Sequence, residues 1–398
     1  MRLFALLVSL VCAVPGAGTA GTFLVLPFFN LTNSANLNWI GESVAETVRE
    51  AAPESALALD REDREEAYRR LGLRPHARLT RASVLKLGQT LDADGVLYGW
   101  FELTPPETAD GKTPATRGTL KLTARFLDLK NLSEGREFSE VGALEDLAAL
   151  QSHLAWQAAE LLAPGTTPPE KEFRDRHPQV RVDALEYYIR GLLAASAPEK
   201  EKLFAQAARL DAKFSQPNFE LGRLYWQDRD YRQAAEWLAK VSSGDRHAHE
   251  ASFLLGLSRY ELGDFAGAET ALQQAARGVP LGEVFNDLGA AQSRLNRPEA
   301  LGNFQKALQG DETDPVYQFN TGYALWKKGD FAGAAGRLRA ALKRDPDDRD
   351  APLLLEMCGK SQGPQAGDAR TQALERIKTN FEESAYRQLK AVFQPKGG

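Results

Sequence analysis

The chain has 398 residues, 49 Lys plus Arg against 54 Asp plus Glu, and a formal charge of −5. That length predicts two or three domains with ample core, and the mixed, slightly acidic balance argues against a nucleic-acid-binding protein, which normally carries a basic patch. Two cysteines in 398 residues leave packing, not a disulfide framework or a cysteine metal cluster, as the source of stability.

Residues 1–20 read as a secretory signal. Arg2 precedes an apolar run over 3–14, Pro15-Gly16 breaks it, and Gly18-Thr19-Ala20 supplies the small residues needed for cleavage. The run is short for a membrane span. Cys12 lacks the small preceding residue of a lipid-anchored signal, and removal of the segment would leave Cys358 alone. The expectation is export to the periplasm or cell envelope of a bacterium, with any membrane association made through partners.

Residues 21–163 have the texture of a small α/β unit. The apolar run over 22–28 suits a buried strand. Trp39, Ile40, Val44 and Val48 line one face of a helix over 39–50. A weak strand over 56–59 is followed by Asp60, which can cap a charged helix over 61–71. A further helix spans 82–91, and strong strands occupy 95–103 and 120–128, with a Pro/Thr/Gly-rich loop between them. A short strand over 136–141 and a helix over 144–162 complete the unit. The order, with Val25-Leu26-Pro27-Phe28-Phe29-Asn30 early, Trp39-Ile40-Gly41-Glu42-Ser43 soon after, and 91–99 and 122–129 later, resembles the N-terminal domain of TolB and its relatives. That resemblance implies a domain for protein association, with no catalytic residues to carry over.

Residues 164–179 form a Pro-rich linker, expected to hold two domains apart semi-rigidly. Beyond it, over 180–363, the chain repeats itself. Gly222, Gly256, Gly289 and Gly322 follow one another at steps of 34, 33 and 33 residues. Ala234, Ala268 and Ala334 stand twelve residues after three of them, and Ala300 eleven after the other. A Gly-Asp-Phe turn at Gly263 and Gly329 degenerates to Arg229-Asp230-Tyr231 and Asn296-Arg297-Pro298. A shortened earlier copy runs from Tyr187 through Phe204 and Ala207, and a lone helix begins after Asp350. The pattern closely resembles the tetratricopeptide repeat (TPR), in which two helices pack through these small residues and neighbouring hairpins must stack to bury their faces. About five repeats, and a superhelix, are expected.

After a Gly/Gln/Ser break, Leu374, Ile377, Phe381, Ala385, Leu389 and Val392 recur at helical steps, predicting an amphipathic helix within 364–398 that caps the array. The fold class expected is therefore α+β multidomain: a small α/β N-terminal domain followed by an all-α TPR superhelix.

No motif for bond-making chemistry stands out, so no enzyme activity, catalytic residue, cofactor or metal is assigned. His247-Ala-His249 has the wrong spacing for two ligands on one helical face. The Asp-rich run over 345–350 lacks the glycine and glutamate of a calcium loop. A second stripe on the first helix of each repeat is more informative. Phe219, Arg223 and Trp226, Phe253 and Tyr260, Asn286, and Phe319, Tyr323, Trp326 and Lys327 share one face, which the resemblance implies lines a concave peptide groove. Single aromatics there could equally be inter-repeat core. Together they suggest an aromatic-rimmed groove suited to an extended or helical apolar segment. The function expected is an exported, non-enzymatic scaffold for assembling or regulating an envelope complex, with one protein or peptide in the groove and a second protein on the α/β domain. The alternative is a ligand-sensing or enzymatic α/β domain regulated by the repeats, with a pocket beside Asn30, Asp60 or Asp94.

Overall fold

The computed structural model describes residues 21–386 apart from 33, 54, 55, 106–117, 178 and 384. The expected signal, most of the loop after the first long strand, and the distal part of the expected capping helix lie outside those residues.

In the first unit, β1 (Thr22–Val25), β2 (Phe29–Asn30), α1 (Asn38–Glu50), β3 (Leu57–Ala58), α2 (Arg61–Arg70) and α3 (Arg81–Thr90) precede the long hairpin β4 (Gly95–Thr104) and β5 (Thr119–Asp128). The short β6 (Ser133–Glu134) and β7 (Phe138–Ala143) then lead to α4 (Leu147–Leu162). One mixed sheet results, with β1 parallel to β3 and β4, β4 antiparallel to β5, and β7 on the free side of β5. Strand alternation sorts the apolar side chains to two sides. Phe23 and Val25 join α1 and α4 in one core, whereas Leu24 and Leu26 join Ala67 of α2 and Val84 and Leu87 of α3 in another. The expected Asp60 cap does not form: Asp60 precedes α2 with no side-chain bond to it and lies by Arg49 and Arg246 instead.

The stretch over 164–179 is not a spacer. It contains α5 (Glu170–Arg176), whose Phe173 is buried, and Trp156 Nε1 donates to the Pro168 carbonyl at 3.1 Å. Next come α6 (Val182–Leu193) and α7 (Ala197–Leu210), and α6 packs on α1. Tyr188, Ile189 and Phe204 belong to the same apolar core as Ile40, Val44 and Leu154. The expectation of two units held apart is thus corrected. The first repeat presents an apolar face that neither neighbour alone would keep dry, so burial joins the α/β unit to the array.

The array continues as α8 (Gln216–Gln227) with α9 (Tyr231–Leu238), α10 (Ala248–Glu261) with α11 (Phe265–Gly278), α12 (Gly282–Arg294) with α13 (Ala300–Gly310), α14 (Pro315–Lys327) with α15 (Phe331–Arg344), and α16 (Asp350–Gly359). The repeat glycines lie where each pair crosses. A Cβ added at Gly222 or Gly256 would stand 2.5 Å from the side chain of Leu238 or Leu272. Ala234, Ala268, Ala300 and Ala334 are buried on the partner helices. The turns need a left-handed residue: Gly263 and Gly329 adopt φ of 78° and 82°, and Arg229 and Asn296 take the same region. Asp230, Asp264 and Asp330 then cap the second helices, accepting the N–H of Gln233, Gly267 and Gly333 at 3.1, 2.9 and 2.9 Å.

The C-terminal segment departs most from expectation. Residues 374–382 are not helical. They run extended along the first helices of the repeats, from the α16 end back towards α10. The apolar residues at helical steps are spread along this path: Ile377 packs by Tyr260, and Phe381 stacks on Phe253 with ring centres 5.1 Å apart.

Candidate functional site: the inner face of the repeats

Two helical turns on α12 and α14 hold the polar centre of this face. Asn286 and Asn320 are fully buried. Asn320 Oδ1 accepts the Arg376 backbone N–H at 2.9 Å, and its Nδ2 donates to the Arg376 carbonyl at 2.7 Å and to Asn286 Oδ1 at 2.8 Å. Asn286 Nδ2 donates to that same carbonyl at 2.9 Å. The backbone of one residue is thereby gripped on both polar groups, as an added strand would grip it. Asp287 accepts the Lys378 N–H at 2.9 Å, and Glu283 accepts the Glu382 N–H at 2.9 Å. Asn320 and Asp287 occupy the same place in their repeats, two residues before Gly322 and Gly289. In an extended chain alternate N–H groups point the same way, which is why they meet N–H groups two residues apart.

Side chains of the segment then read charge. Glu375 accepts from Ser293 Oγ at 2.5 Å and lies 3.4 Å from Lys327 Nζ. Arg376 lies over the Phe319 ring, 3.4 Å from its centre, and pairs with Asp348 and, at 3.2 Å, with Asp350. Lys378 Nζ reaches Asp314 at 2.6 Å. Glu383 lies 3.2 Å from His249 Nδ1. At the entrance, Trp326 Nε1 donates to the Gln362 carbonyl at 2.8 Å and the Tyr323 hydroxyl to the Thr371 carbonyl at 2.7 Å.

These contacts set the titration of the floor. Burial pushes the Asp287 carboxyl well above the usual carboxylate range, although the Lys378 N–H and the Asn286 amide oppose it. Its Oδ2 is buried and has no hydrogen-bond partner. Burial also acts to raise Asp348, but the Arg376 guanidinium and the N–H groups of Ala351 and Asp350 hold it below the usual range. That pair of N–H bonds places Asp348 at the start of α16.

Of the residues expected to line a groove, Phe253, Asn286, Phe319, Tyr323, Trp326 and Lys327 contact the C-terminal segment through the bonds, stacking and cation–π contacts above. Tyr260 packs beside its Ile377. Phe219, Arg223 and Trp226 sit elsewhere in function. Phe219 is buried and stacks on His247 with ring centres 4.4 Å apart. Arg223 pairs with Glu220 at 2.8 Å and reaches Glu62 of α2 at 3.8 Å. Trp226 packs on Tyr231. The segment on this face mixes charge at 375, 376, 378, 382 and 383 with apolar Ile377 and Phe381. Sequence reasoning missed Asn320, Asp287 and Glu283. A signal was present: a column two residues before each repeat glycine, reading Glu220, Leu254, Asp287 and Asn320, is polar in three of the four copies.

The alternative site finds less support. Asn30 is engaged by Thr32, Ser34 and Asn38, Asp94 by the Thr22 N–H at 2.8 Å and Lys130 at 2.7 Å, and Asp60 by arginines. Two surface depressions, about 370 and 350 Å³, are lined by Glu170, Arg174 and Gln179 and by Glu269, Gln292 and Arg297, and by none of those three.

Residues 219–283 and 319–355 match the family described as tetratricopeptide repeat. The chain carries tetratricopeptide repeats. Solved structures similar to it include YrrB, a TPR protein described as having an unusual peptide-binding site, at 21% identity, covering 42% of this chain and 87% of that one with a TM-score of 0.36. MamA from Desulfovibrio magneticus RS-1 is 20% identical over 42% of this chain and 98% of its own, with a TM-score of 0.37. TTC0263, a thermophilic TPR protein of Thermus thermophilus, is 15% identical over 44% and 99%, with a TM-score of 0.31. No curated protein matches the chain in sequence. The α/β unit lies outside the matched family segments.

Proposed function

We propose that this TPR protein is an exported, non-enzymatic adaptor, which holds a protein partner as an extended segment along the inner face of its repeats and so assembles or regulates an envelope complex. The observation that carries this is the double grip of Asn286 and Asn320 on the backbone N–H and carbonyl of one residue, Arg376. Any peptide offers those two groups, so the grip is general, while the flanking charges supply selectivity. The TolB-like character of the α/β unit belongs to the same proposal. Its edge strand β7, with Val141 59% exposed, offers a surface for a second protein. The test is affinity capture from envelope extracts with the wild-type chain and with Asn286→Ala/Asn320→Ala. The expected outcome is that the variant, still folded by circular dichroism, loses the proteins that the wild type retains. Identical captured sets would overturn the proposal.

A further inference from the structure

The segment over 371–383 meets every requirement the inner face makes of a ligand, although it belongs to the chain itself. Its backbone is read at Arg376, Lys378 and Glu382 by Asn320, Asp287 and Glu283. Its charged side chains each meet a complementary group: Glu375 on Lys327, Arg376 on Asp348, Lys378 on Asp314. Its aromatic residue, Phe381, stacks on Phe253 three residues after Lys378. The helices of the array are closed without it, since α16 has already covered α15 with Ala351, Leu354 and Met357. Main-chain contact, charge matching and aromatic anchoring, on a surface the repeats build by themselves, are the terms of a bound peptide and not those of a core.

Building on the proposed peptide-binding role, we infer that residues 371–383 are a built-in competitor. They occlude the groove, and the partner that displaces them is an extended peptide of the same chemistry: an acid, a base, an apolar residue and a second base in succession, then an aromatic three residues on. The short tether after α16 sets how strongly such a competitor is disfavoured. A short flexible tether gives an effective concentration of about 1 mM. If the untethered segment bound with a Kd of about 10 μM, the closed form would outweigh the open one by about 100 to 1, and a free peptide's apparent affinity would fall by that factor. The partner must therefore bind better than the tail, or something must first pull the tail away.

The test uses a fluorescent synthetic peptide of residues 372–383 and the full chain, wild type and Arg376→Glu/Lys378→Glu, which places like charge against Asp348 and Asp314. The charge-reversed chain should bind the peptide at least tenfold more tightly than the wild type. Equal binding by both chains would overturn occlusion while leaving the groove a peptide site. Binding by neither, with folding intact by circular dichroism, would overturn occlusion and the peptide-binding role together. A second measurement needs no variant: excess peptide added to the wild type should raise the hydrogen-exchange rates of the Arg376, Lys378 and Glu382 amides at least tenfold. Peptide binding with those amides still protected overturns the inference. So does a wild-type chain that sediments as a dimer and falls to monomer on peptide addition, because the occupant would then come from a second copy.

Discussion

Two junctions hold this molecule together, and they are built from different materials. Where the α/β unit meets the first repeat, α1, α4, α6 and α7 share one apolar core. Where the C-terminal segment meets the later repeats, the contacts go to backbone N–H and carbonyl groups, and the paired charges of Arg376 and Lys378 remain about a quarter exposed. Separating the first junction exposes apolar surface, which costs heavily. Separating the second returns polar groups to water, which satisfies them again at small net cost. The first is a permanent joint and the second a reversible one.

The largest expected effect breaks the permanent joint. Phe204→Ala removes a fully buried ring that reaches from α7 to Tyr188 and abuts Gly191. It should cost about 3–5 kcal/mol. Because the core is shared, thermal unfolding followed by circular dichroism and by tryptophan fluorescence should shift together as one transition. A variant in which the α/β unit melts early and the repeats keep their midpoint would show the joint to be weaker than its burial implies.

A second expectation concerns charge at the same joint. Glu50 at the end of α1 faces Arg49 and Glu46 of its own helix, Gln216 of α8, and Asp245 and His247 ahead of α10. Burial, with Arg49 opposing, raises its carboxyl to about 7. A carboxyl whose folded value lies above its unfolded one binds more protons when folded, so stability falls as pH rises from about 4.5 through about 7. Glu50→Gln should remove that slope, leaving a chain more stable than the wild type by about 2 kcal/mol at pH 8 and little different at pH 4.5. Parallel stability profiles for the two chains would sink this.

At the reversible joint, Asn320→Ala leaves the Arg376 N–H unpaired and its carbonyl held by the Asn286 amide alone. The expected loss is about 1–3 kcal/mol of docking energy, read as faster amide exchange over 374–382 with the unfolding midpoint of the repeats within a degree or two of the wild type. A large drop in that midpoint would make the segment part of the core after all.

How far these joints were legible in sequence follows from the physics of each. Repeat packing was legible, because Gly222 and Ala234 answer to a steric demand that recurs every 33 or 34 residues. The strands of the first unit were too, since the continuous apolar run over 22–28 is a local signal. The fusion of the two units was hidden. Prolines at 164, 168 and 169 signal a break in regular structure but carry no information on whether flanking helices such as α1 and α6 will meet. The tail misled for a more specific reason: Leu374, Ile377 and Phe381 fit a helical period, yet the same spacing places apolar groups along an extended path once Asn320 and Asp287 compete for its backbone N–H groups. Intrinsic propensity yields when tertiary partners satisfy the backbone better.

The smallest expected effect sharpens the contrast through pH. Asp287 faces Glu283 on its own helix and Lys378 on the tail, and it is raised while the tail covers it. The docked state therefore holds a proton that the released state, with Asp287 in water, gives up. Docking weakens as pH rises above the ordinary carboxylate value, about 3.9. Asp348, faced by Arg376, is lowered while docked, so its contribution is present above the ordinary value and is lost as pH falls through the lowered one. The two slopes oppose each other. Tail protection should pass through a maximum in mildly acidic solution and decline on both sides, and Asp287→Asn should abolish only the decline towards neutral pH. Amide exchange over 374–382, corrected for the intrinsic pH dependence of exchange, measures this directly. A profile unaltered by Asp287→Asn would mean that the buried carboxyl keeps its charge and its proton affinity whether or not the tail is docked.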